Sequence, residues 1–355
     1  MMRINIIFVL DHALKNYRAP FFNLLSDIDQ YQITIVHPGK EIEGLNKITQ
    51  LKSYTIFKCL GVELRNKLKI KNYDVIIYMQ NIRLINLWLI TLNPFKNYKL
   101  IHWGIGTSSS KRLSLNKNLF TWFRNMLAKN ASALILYTDF PLSLFSAKVK
   151  EKTFIANNTI FNPLMENLSE MEKDSFIFIG SLDKRKGLDL LLKSFSSFSK
   201  KTGSPLKLVI IGSGSEELSL KILAKQLDIE NLVEFKGAIT DDKLKKEYFR
   251  KAIACVSPLQ AGLSVLESFS YGVPFITYKN AISGGEHLNI INYNNGMLVN
   301  NENELTTSLI KINEDRELAK RLGNNAYKHY YEKRQMKHMV SVFKEAIDYV
   351  NKQDI

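Results

Sequence analysis

The chain has 355 residues, 45% of them hydrophobic, and its formal net charge is +15. This length exceeds the usual size of a single hydrophobic core, so we expect two domains of roughly 150 to 180 residues. The two cysteines cannot form a metal site by themselves, and they suggest a reducing compartment.

The positive charge is concentrated in the N-terminal half. Residues 1–165 carry 22 Lys and Arg against 9 Asp and Glu, whereas the rest of the chain carries 27 against 25. Such a surface suits an anionic membrane, a polyprenyl diphosphate or nucleic acid, or it simply reflects a lysine-rich proteome. Because no helix-turn-helix, zinc finger or RNA-binding aromatic motif accompanies the charge, we expect no nucleic-acid partner.

The sequence contains no apolar stretch as long as the ~20 residues that cross a bilayer. The N-terminal run I-N-I-I-F-V-L is too short for a signal-peptide core and is typical of a buried strand. We therefore expect a cytoplasmic protein, either soluble or peripheral on the inner face of the cytoplasmic membrane.

The first half alternates strand-like apolar runs with helical or polar intervals, which predicts a doubly wound α/β domain. The runs are 4–10, 32–37, 75–78, 99–103 and 133–137. Arg18 follows the first run, where a cation could contact a phosphate or an acceptor; the alternative is an ordinary surface charge. His102 is expected at the carboxyl edge of the sheet, where it could contact a ligand or be a hydrogen-bonded structural residue.

Residues 108–130 mix lysines and arginines with leucines and aromatics. This composition fits an interfacial membrane helix, and it equally fits a helix packed on the core with solvated lysines. We favour the core position for Leu119, Phe123, Met126 and Leu127.

A linker near Asn162-Pro163 precedes a second α/β pattern, in which strands end at glycine turns such as Gly180 and Gly237.

The most informative stretch is 257–286. One strand ends where this stretch begins. A helix over 262–271 follows, and the next strand comes after that helix. A helix that begins between parallel strands directs free N–H groups at a phosphate, and Glu267, one turn inside, can accept hydrogen bonds from ribose hydroxyls. The alternative is an ordinary strand-helix-strand unit with an exposed glutamate.

This stretch resembles the retaining glycosyltransferases of family 4, which have the GT-B fold. Their pattern is close to S-x-x-E-G-F-G-L-x-x-L-E-A-x-x-x-G-x-P-V-I, with seven residues between the two glutamates. Six residues of this chain fall in place, namely Gly262, Leu263, Leu266, Glu267, Gly272 and Pro274. The first glutamate is replaced by Leu259, and Gln260 beside it is the only polar neighbour.

The resemblance implies roles for these residues. Glu267 is expected to hold the donor ribose, while Gln260 and the backbone at Gly262, Leu263 and Ser264 are expected to contact the rest of the donor. The diphosphate would lie at the N–H groups of this helix start.

A second family motif, G-R-L-x-x-x-K-G, is similar to the segment that begins at Gly180. Lys186 matches the lysine that binds the donor diphosphate in the family, whereas Ser181 stands in the place of the arginine. Arg185 is the candidate that would supply the missing charge.

The resemblance extends to three looser positions. Gly237 matches a turn that precedes the base-binding loop, and His102 lies where a family histidine contacts the transferred sugar. The sequence Y-R-x-P-x-F around Arg18 resembles the opening of bacterial surface-polysaccharide transferases.

Together these features predict an α/β protein of the GT-B fold with two Rossmann-like doubly wound domains and a cleft between them. Residues 1–165 would bind the acceptor, residues 166–335 would bind the nucleotide sugar, and a C-terminal helix over 336–355 would pack back on the first domain. The resemblance implies a retaining transfer of a hexose-type sugar from a UDP- or GDP-linked donor to a glycan or polyprenyl-linked glycan hydroxyl. The pathway would be bacterial O-antigen or capsule synthesis.

In this interpretation Lys186, Arg185 and His102 carry catalysis, and neither a metal nor a cofactor is expected. Two alternatives remain open. A nucleotide-sugar epimerase on the same scaffold would need clustered acids and histidines, which the sequence does not group together. A non-catalytic GT-B protein that binds glycan or a partner is suggested by Leu259 and Ser181, which replace charged signature residues.

Overall fold

The structure of the protein is a computed structural model that describes residues 3–45, 47–107, 115 and 118–352. These residues form two compact units. One contains the described residues of 1–161 and of 336–355, and the other contains residues 162–335. The chain passes into the second unit slightly before the predicted boundary at residue 165.

The first unit is built on a parallel sheet. Its strands are β1 (Ile4–Val9), β2 (Tyr31–His37), β3 (Ile48–Lys52), β4 (Thr55–Cys59), β5 (Val62–Arg65), β6 (Val75–Met79), β7 (Lys99–Gly104), β8 (Ala133–Leu136) and β9 (Thr153–Ile155). Seven of them form one sheet in the order β3-β2-β1-β6-β7-β8-β9, whereas β4 and β5 form a separate antiparallel hairpin. The central strands are almost wholly apolar because helices cover both faces of the sheet.

Helices of the first half connect these strands. They are α1 (Ala19–Ser26), α2 (Ile85–Thr91), α3 (Leu119–Asn130) and α4 (Ala147–Lys150). Pro20 lies in the first turn of α1, where the missing N–H costs nothing, and Phe21 and Phe22 are fully buried behind it.

The predicted core face of α3 is correct only in part. Leu127 is fully buried and Phe123 packs edge-on against Trp88, but Leu119 is 64% exposed at the start of the helix. The preceding lysines and leucines of the predicted basic helix, residues 108–114 and 116–117, lie outside the described residues. The expectation that Leu119 is a core residue is therefore wrong, because the side of the first turn that carries Leu119 and Phe120 faces solvent.

The second unit has a parallel six-stranded sheet. Its strands are β10 (Ser175–Ile179), β11 (Lys207–Ile211), β12 (Val233–Phe235), β13 (Ala252–Val256), β14 (Phe275–Tyr278) and β15 (Gly296–Val299). Its helices are α5 (Leu188–Thr202), α6 (Glu217–Gln226), α7 (Asp242–Lys251), α8 (Ser264–Ser270), α9 (Glu302–Glu314) and α10 (Arg316–Lys333). The strand order is β12-β11-β10-β13-β14-β15. Strands β10, β11 and β12 extend the sheet in one direction, and β13, β14 and β15 extend it in the other. The strand order therefore reverses between β10 and β13.

The last helix, α11 (Met336–Asn351), belongs to the first unit. Its Phe343 is fully buried, with ring centroids 4.7 Å from Phe21, 5.2 Å from Trp103 and 6.1 Å from Phe8. Aromatic contacts of this kind add to the stabilisation from the area that they bury. The predicted return of the C-terminal helix to the first domain is confirmed.

Among the described residues, no helix combines the length and the hydropathy that crossing a bilayer requires.

Candidate active site

The strand order places a candidate site at the carboxyl ends of β10 and β13. Ligands of open α/β sheets bind where the strand order reverses, because the loops that leave the two neighbouring strands diverge there. In the second unit, the loop after β10 carries Lys186 and the loop after β13 leads to Gly262 and Glu267. Residues that the motifs pick out individually therefore lie on adjacent loops.

Backbone hydrogen bonds hold these loops together. The N–H of Leu259 donates to the carbonyl of Lys186 at 3.2 Å, and the N–H of Ile282 donates to the carbonyl of Leu259 at 2.7 Å. Ala261 donates in turn to the carbonyl of Ile282 at 3.0 Å. The loops after β10, β13 and β14 thus form one loop cluster of fixed backbone geometry.

Two glycine turns fix the start of this cluster. The N–H of Gly180 donates to Ile211 at 3.0 Å, and the N–H of Gly212 donates to Gly237 at 2.8 Å. A Cβ on Gly212 would lie only 1.8 Å from the carbonyl oxygen of Gly180, and the φ angle of Gly212 is +148°. Only glycine fits such a close approach of two backbones. Gly180 and Gly237 therefore shape the site through the backbone.

Lys186 ends a short 3-10 turn over Lys184–Lys186 and is followed by Gly187, whose φ of +69° terminates the turn. The ammonium of Lys186 lies beside Gly180, 3.4 Å from the place that a Cβ would occupy there. Burial lowers the pKa of Lys186. Within the described part of the chain, its ammonium has no hydrogen-bond or ion-pair partner closer than 4 Å. A half-buried cation that forms no ion pair, and on which the carboxylates of Asp183 and Glu286 act only without direct contact, is suited to receive an anion.

Arg185 and Ser181 both contact Asp183. The guanidinium of Arg185 lies 3.0 Å from Asp183 Oδ2, and Ser181 donates to the same oxygen at 2.7 Å. The hydrogen bond from Arg185 lowers the pKa of Asp183 to about 2. The charge of Arg185 is therefore already balanced by a carboxylate, and its predicted help to Lys186 stays a prediction.

Leu259 occupies the position at which the resembling family has its first glutamate. Its side chain packs on Gly187, since a Cβ added there would lie 2.6 Å from Leu259 Cγ. It also contacts the core cluster of the second unit. At this position an apolar side chain thus stands in place of the family's carboxylate. Its packing on Gly187 holds the loop after β13 against the loop after β10.

Glu267 lies in the first turn of α8, and its carboxylate pairs with Lys245 of α7 at 3.0 Å. Lys245 also contacts Asp242 at 2.7 Å, and the side chains of Glu267 and Lys245 are 13% and 16% exposed. Burial alone would lower the pKa of Lys245, but the two carboxylates outweigh it and raise that pKa. The pair fixes the orientation of the Glu267 carboxylate. Lys245 could not be found from the sequence, because nothing in its neighbourhood links it to α8.

We expect the variant Lys245→Met to lower the free energy of unfolding by about 2 kcal/mol, because it leaves Glu267 largely buried without its cation. The double variant Lys245→Met/Glu267→Gln should recover most of this loss, since neither charge remains. Urea denaturation measures both. Lys243→Met, at an exposed lysine of the same helix, is the matched control and should stay within about 0.5 kcal/mol of the parent. Equal losses at positions 243 and 245 would contradict the role of the pair.

Buried polar atoms without partners also mark the cluster. Among the described residues, Gln260 Oε1, Ser264 Oγ and His287 Nδ1 are buried and accept or donate no hydrogen bond. Glu286 in the same region accepts from Ser283 Oγ at 3.0 Å and from the N–H of Gly284 at 2.9 Å. An unsatisfied buried polar group costs about 1–3 kcal/mol, so a polar ligand that bonds to these atoms would recover that cost.

In the first unit, His102 does not lie where the sequence predicts. β7 extends to Gly104, so His102 is an inner residue of the strand, fully buried, with Nε2 3.0 Å from Thr91 Oγ1. Burial lowers the pKa of His102 to about 3, and the ring is therefore neutral. The prediction that His102 faces a ligand at the strand end is wrong.

Arg18 is 5% exposed and is engaged within the first unit. It donates to Asn158 Oδ1 at 2.6 Å and to the hydroxyl of Tyr137 at 3.2 Å, and its guanidinium lies 5.4 Å from the ring centroid of Trp103. These contacts tie the start of α1 to the ends of neighbouring strands. A contact between Arg18 and a ligand stays a prediction.

Two Rossmann-like units with parallel sheets and a C-terminal helix that joins the first of them define the GT-B fold. The crystal structure of Anabaena HepE in complex with UDP has this architecture: its TM-score to this chain is 0.72, over 97% of this chain and 99% of that one, at 14% identity.

Residues 164–329 match the family model of Glycosyl transferases group 1. The second unit is therefore a group 1 glycosyltransferase domain, and the protein is a glycosyltransferase. The resemblance of the second half to a glycosyltransferase is thereby confirmed, whereas retention stays a prediction.

Relatives agree with this assignment. An uncharacterised glycosyltransferase of Haemophilus influenzae is 28% identical over 273 residues, which are 75% of this chain and 73% of that protein. A Campylobacter jejuni relative is 28% identical over 183 residues, which are 50% of this chain and 49% of that protein. The latter is named an alpha-1,4-N-acetyl-D-galactosaminyltransferase that acts on a diNAcBac-PP-undecaprenol-linked glycan.

Proposed function

We propose that the protein is a retaining glycosyltransferase that moves a hexose-type sugar from a nucleotide-diphosphate sugar to a hydroxyl of a glycan or lipid-linked glycan. The observation that carries this proposal is the unpaired ammonium of Lys186 at the reversal of strand order, on a loop bonded to the one that leads into α8. Such a site suits a diphosphate. UDP is the first candidate donor nucleotide, since the similar Anabaena protein was crystallised with UDP, and GDP is the second.

The chemistry follows from the charges around the diphosphate. Lys186 neutralises the diphosphate as the bond between it and the sugar breaks. The N–H groups at residues 262–264, which α8 itself does not use, add partial positive charge. Glu267, held by Lys245, accepts hydrogen bonds from the ribose. These groups are fixed before the reaction begins, so they stabilise the charge that develops in the transition state without reorganisation.

Retention is proposed to proceed without an enzyme nucleophile. The position of the family's first glutamate carries Leu259, which packs on Gly187 and has no nucleophilic atom. Departure of the diphosphate would then create an oxocarbenium-like sugar, which the acceptor hydroxyl attacks from the side that the diphosphate leaves, and the hydroxyl proton would pass to an oxygen of the departing diphosphate. The acceptor would be a polyprenyl-linked glycan of surface-polysaccharide synthesis, O-antigen or capsule, in line with the lipid-linked glycan named for the Campylobacter relative.

A thermal-shift screen against UDP, GDP, ADP and CMP and their common sugar conjugates tests the donor site. A ligand at about 100 times its Kd stabilises the native state by roughly 2.7 kcal/mol, so the matching nucleotide should raise the Tm by several degrees. Glu267→Ala should remove this shift. Glu247→Ala, at an exposed glutamate of α7, makes the same chemical change away from the site, serves as the control and should keep the shift.

The Leu259 contact also favours a second candidate, a non-catalytic GT-B protein that binds a glycan or a partner. The screen and a donor-hydrolysis assay separate the two. A transferase should release nucleotide slowly from its donor even without acceptor, whereas a binding protein should not. A lack of any shift with all four nucleotides would contradict the proposed donor site and favour this second function.

A further inference from the structure

The first unit exposes a group of large apolar side chains around the β4–β5 hairpin. Leu60 at the hairpin turn is 99% exposed and Ile56 is 61% exposed, while Leu89 of α2 is 63% and the nearby Phe95 is 89% exposed. Isolated exposed leucines are ordinary on protein surfaces, but large exposed side chains that form one surface mark an interaction site.

A cavity of about 920 Å³ shows that three of these four residues share one surface, whereas Leu60 belongs to the turn of the hairpin whose strands line it. Ile56 from the hairpin, Leu89 from α2 and Phe95 all line it, together with Leu64 and Ile70. We call this surface, with the adjoining hairpin turn, the hairpin face.

The turn of the hairpin has a backbone conformation that leucine rarely adopts. Leu60 and Gly61 have φ angles of +47° and +81°, which is the two-residue turn of an antiparallel hairpin. Asparagine is the usual first residue of such a turn, because bulky side chains rarely adopt a positive φ. A leucine here is unfavourable for the backbone and for solvation alike, and a contact outside the chain would offset the cost of solvation.

The charge around the hairpin face is positive. Lys67, Lys69 and Lys71 are exposed and line the same cavity, and no Asp or Glu side chain is among its lining residues within the described part of the chain. The lining residue Arg65 is paired with Glu63 at 2.6 Å, so the three lysines supply the free charge. Apolar side chains flanked by lysines complement a bilayer that carries anionic headgroups.

We propose that the hairpin face docks on an anionic membrane surface. Leu60 and Phe95 enter the interfacial region of the bilayer, the aliphatic lining of the cavity contacts lipid chains, and the three lysines contact the headgroups. This inference does not depend on the identity of the donor, and it assigns membrane contact to a surface different from the start of α3.

Sedimentation with vesicles tests the proposal on the full chain. The protein should bind vesicles of phosphatidylcholine with about 30% phosphatidylglycerol, and binding should weaken with salt, because the headgroup attraction is screened. Leu60→Asn/Phe95→Ser should weaken binding at least about tenfold, as two large apolar contacts are lost. Asparagine suits the turn, so this variant should fold as well as the parent does.

Charge variants separate specific lysines from net charge. Replacing Lys67, Lys69 and Lys71 by glutamine should weaken binding by about 100-fold, since each lysine near the surface contributes roughly a factor of five. The same change at Lys193, Lys200 and Lys201, exposed on α5 of the second unit, alters the net charge equally and should change binding less than about twofold.

Several results would overturn the proposal. They are no binding to the anionic vesicles, equal binding to pure phosphatidylcholine, and equal losses from the two lysine sets. A loss produced instead by Trp122→Ser in α3, where the side chain is 58% exposed, would assign the contact to α3. If Leu60→Asn/Phe95→Ser converts a dimer to a monomer and vesicles are not bound, the hairpin face joins two copies of this chain.

Discussion

Lys186→Ala is expected to lower the rate of sugar transfer by about 10²–10³-fold, the usual effect of removing one preorganised charge donor from a transition state. Stability should not fall. The ammonium of Lys186 is half-buried and has no partner within 4 Å among the described residues, so its removal relieves a desolvation cost and breaks no ion pair. The Tm should stay equal or rise slightly.

The neighbour Lys184 provides the control. It is an exposed lysine of the same 3-10 turn, so Lys184→Ala makes the same chemical change two residues away. Nucleotide release from the donor that the thermal-shift screen identifies, with and without acceptor, measures both variants. Lys184→Ala should change the rate less than about twofold. Normal turnover by Lys186→Ala would contradict the proposed role of this lysine.

The variant Gly212→Ala should lower the free energy of unfolding by about 3–5 kcal/mol, through strain at a positive φ and a backbone clash. The added Cβ would lie 1.8 Å from the carbonyl oxygen of Gly180, and neither backbone can move without breaking the hydrogen bonds that join β10, β11 and β12. The loop that carries Lys186 starts at this point. Nucleotide binding should therefore weaken in parallel with stability.

Gly203→Ala distinguishes the clash from the φ angle. Gly203 has a φ of +59°, but a Cβ there meets no atom within 4 Å. This variant should cost only about 1 kcal/mol, the penalty of a left-handed backbone for a residue with a side chain. Urea denaturation, followed by circular dichroism, compares the two. Similar losses at both positions would mean that the contact between the glycine turns does not limit stability.

The glycine turns of the candidate site can be recognised in the sequence because backbone conformation restricts the residue type at a turn. Gly180, Gly187 and Gly237 stand where the backbone turns with a positive φ, and the order of strand, glycine turn and helix recurs beside them. Lys186 is found from the resemblance, as the lysine of the motif G-R-L-x-x-x-K-G. The doubly wound architecture of the second unit and the return of α11 follow from the same resemblance.

Contacts made by tertiary packing cannot be recognised in the sequence in this way. The pair of Lys245 with Glu267 depends on α7 lying against α8, and neither helix carries a motif that records it. The expected place of His102 at a strand end is wrong because strand ends are uncertain by a few residues in a sequence, and β7 runs two residues beyond it. The core position expected for Leu119 is wrong because periodicity does not show where a helix leaves the body of the protein.

The position of α11 also bears on how the chain folds as it is synthesised. Arg18 and Met339, which touch in the first unit, are 321 positions apart. At about 5–20 residues per second, the ribosome makes the second of them roughly 15 to 65 s after the first. Throughout that interval Phe8, Phe21 and Trp103 lack the ring of Phe343 that covers them. The second unit, whose described residues are contiguous, can complete its core first, which reverses the usual order in which the earlier part of a nascent chain folds before the later part.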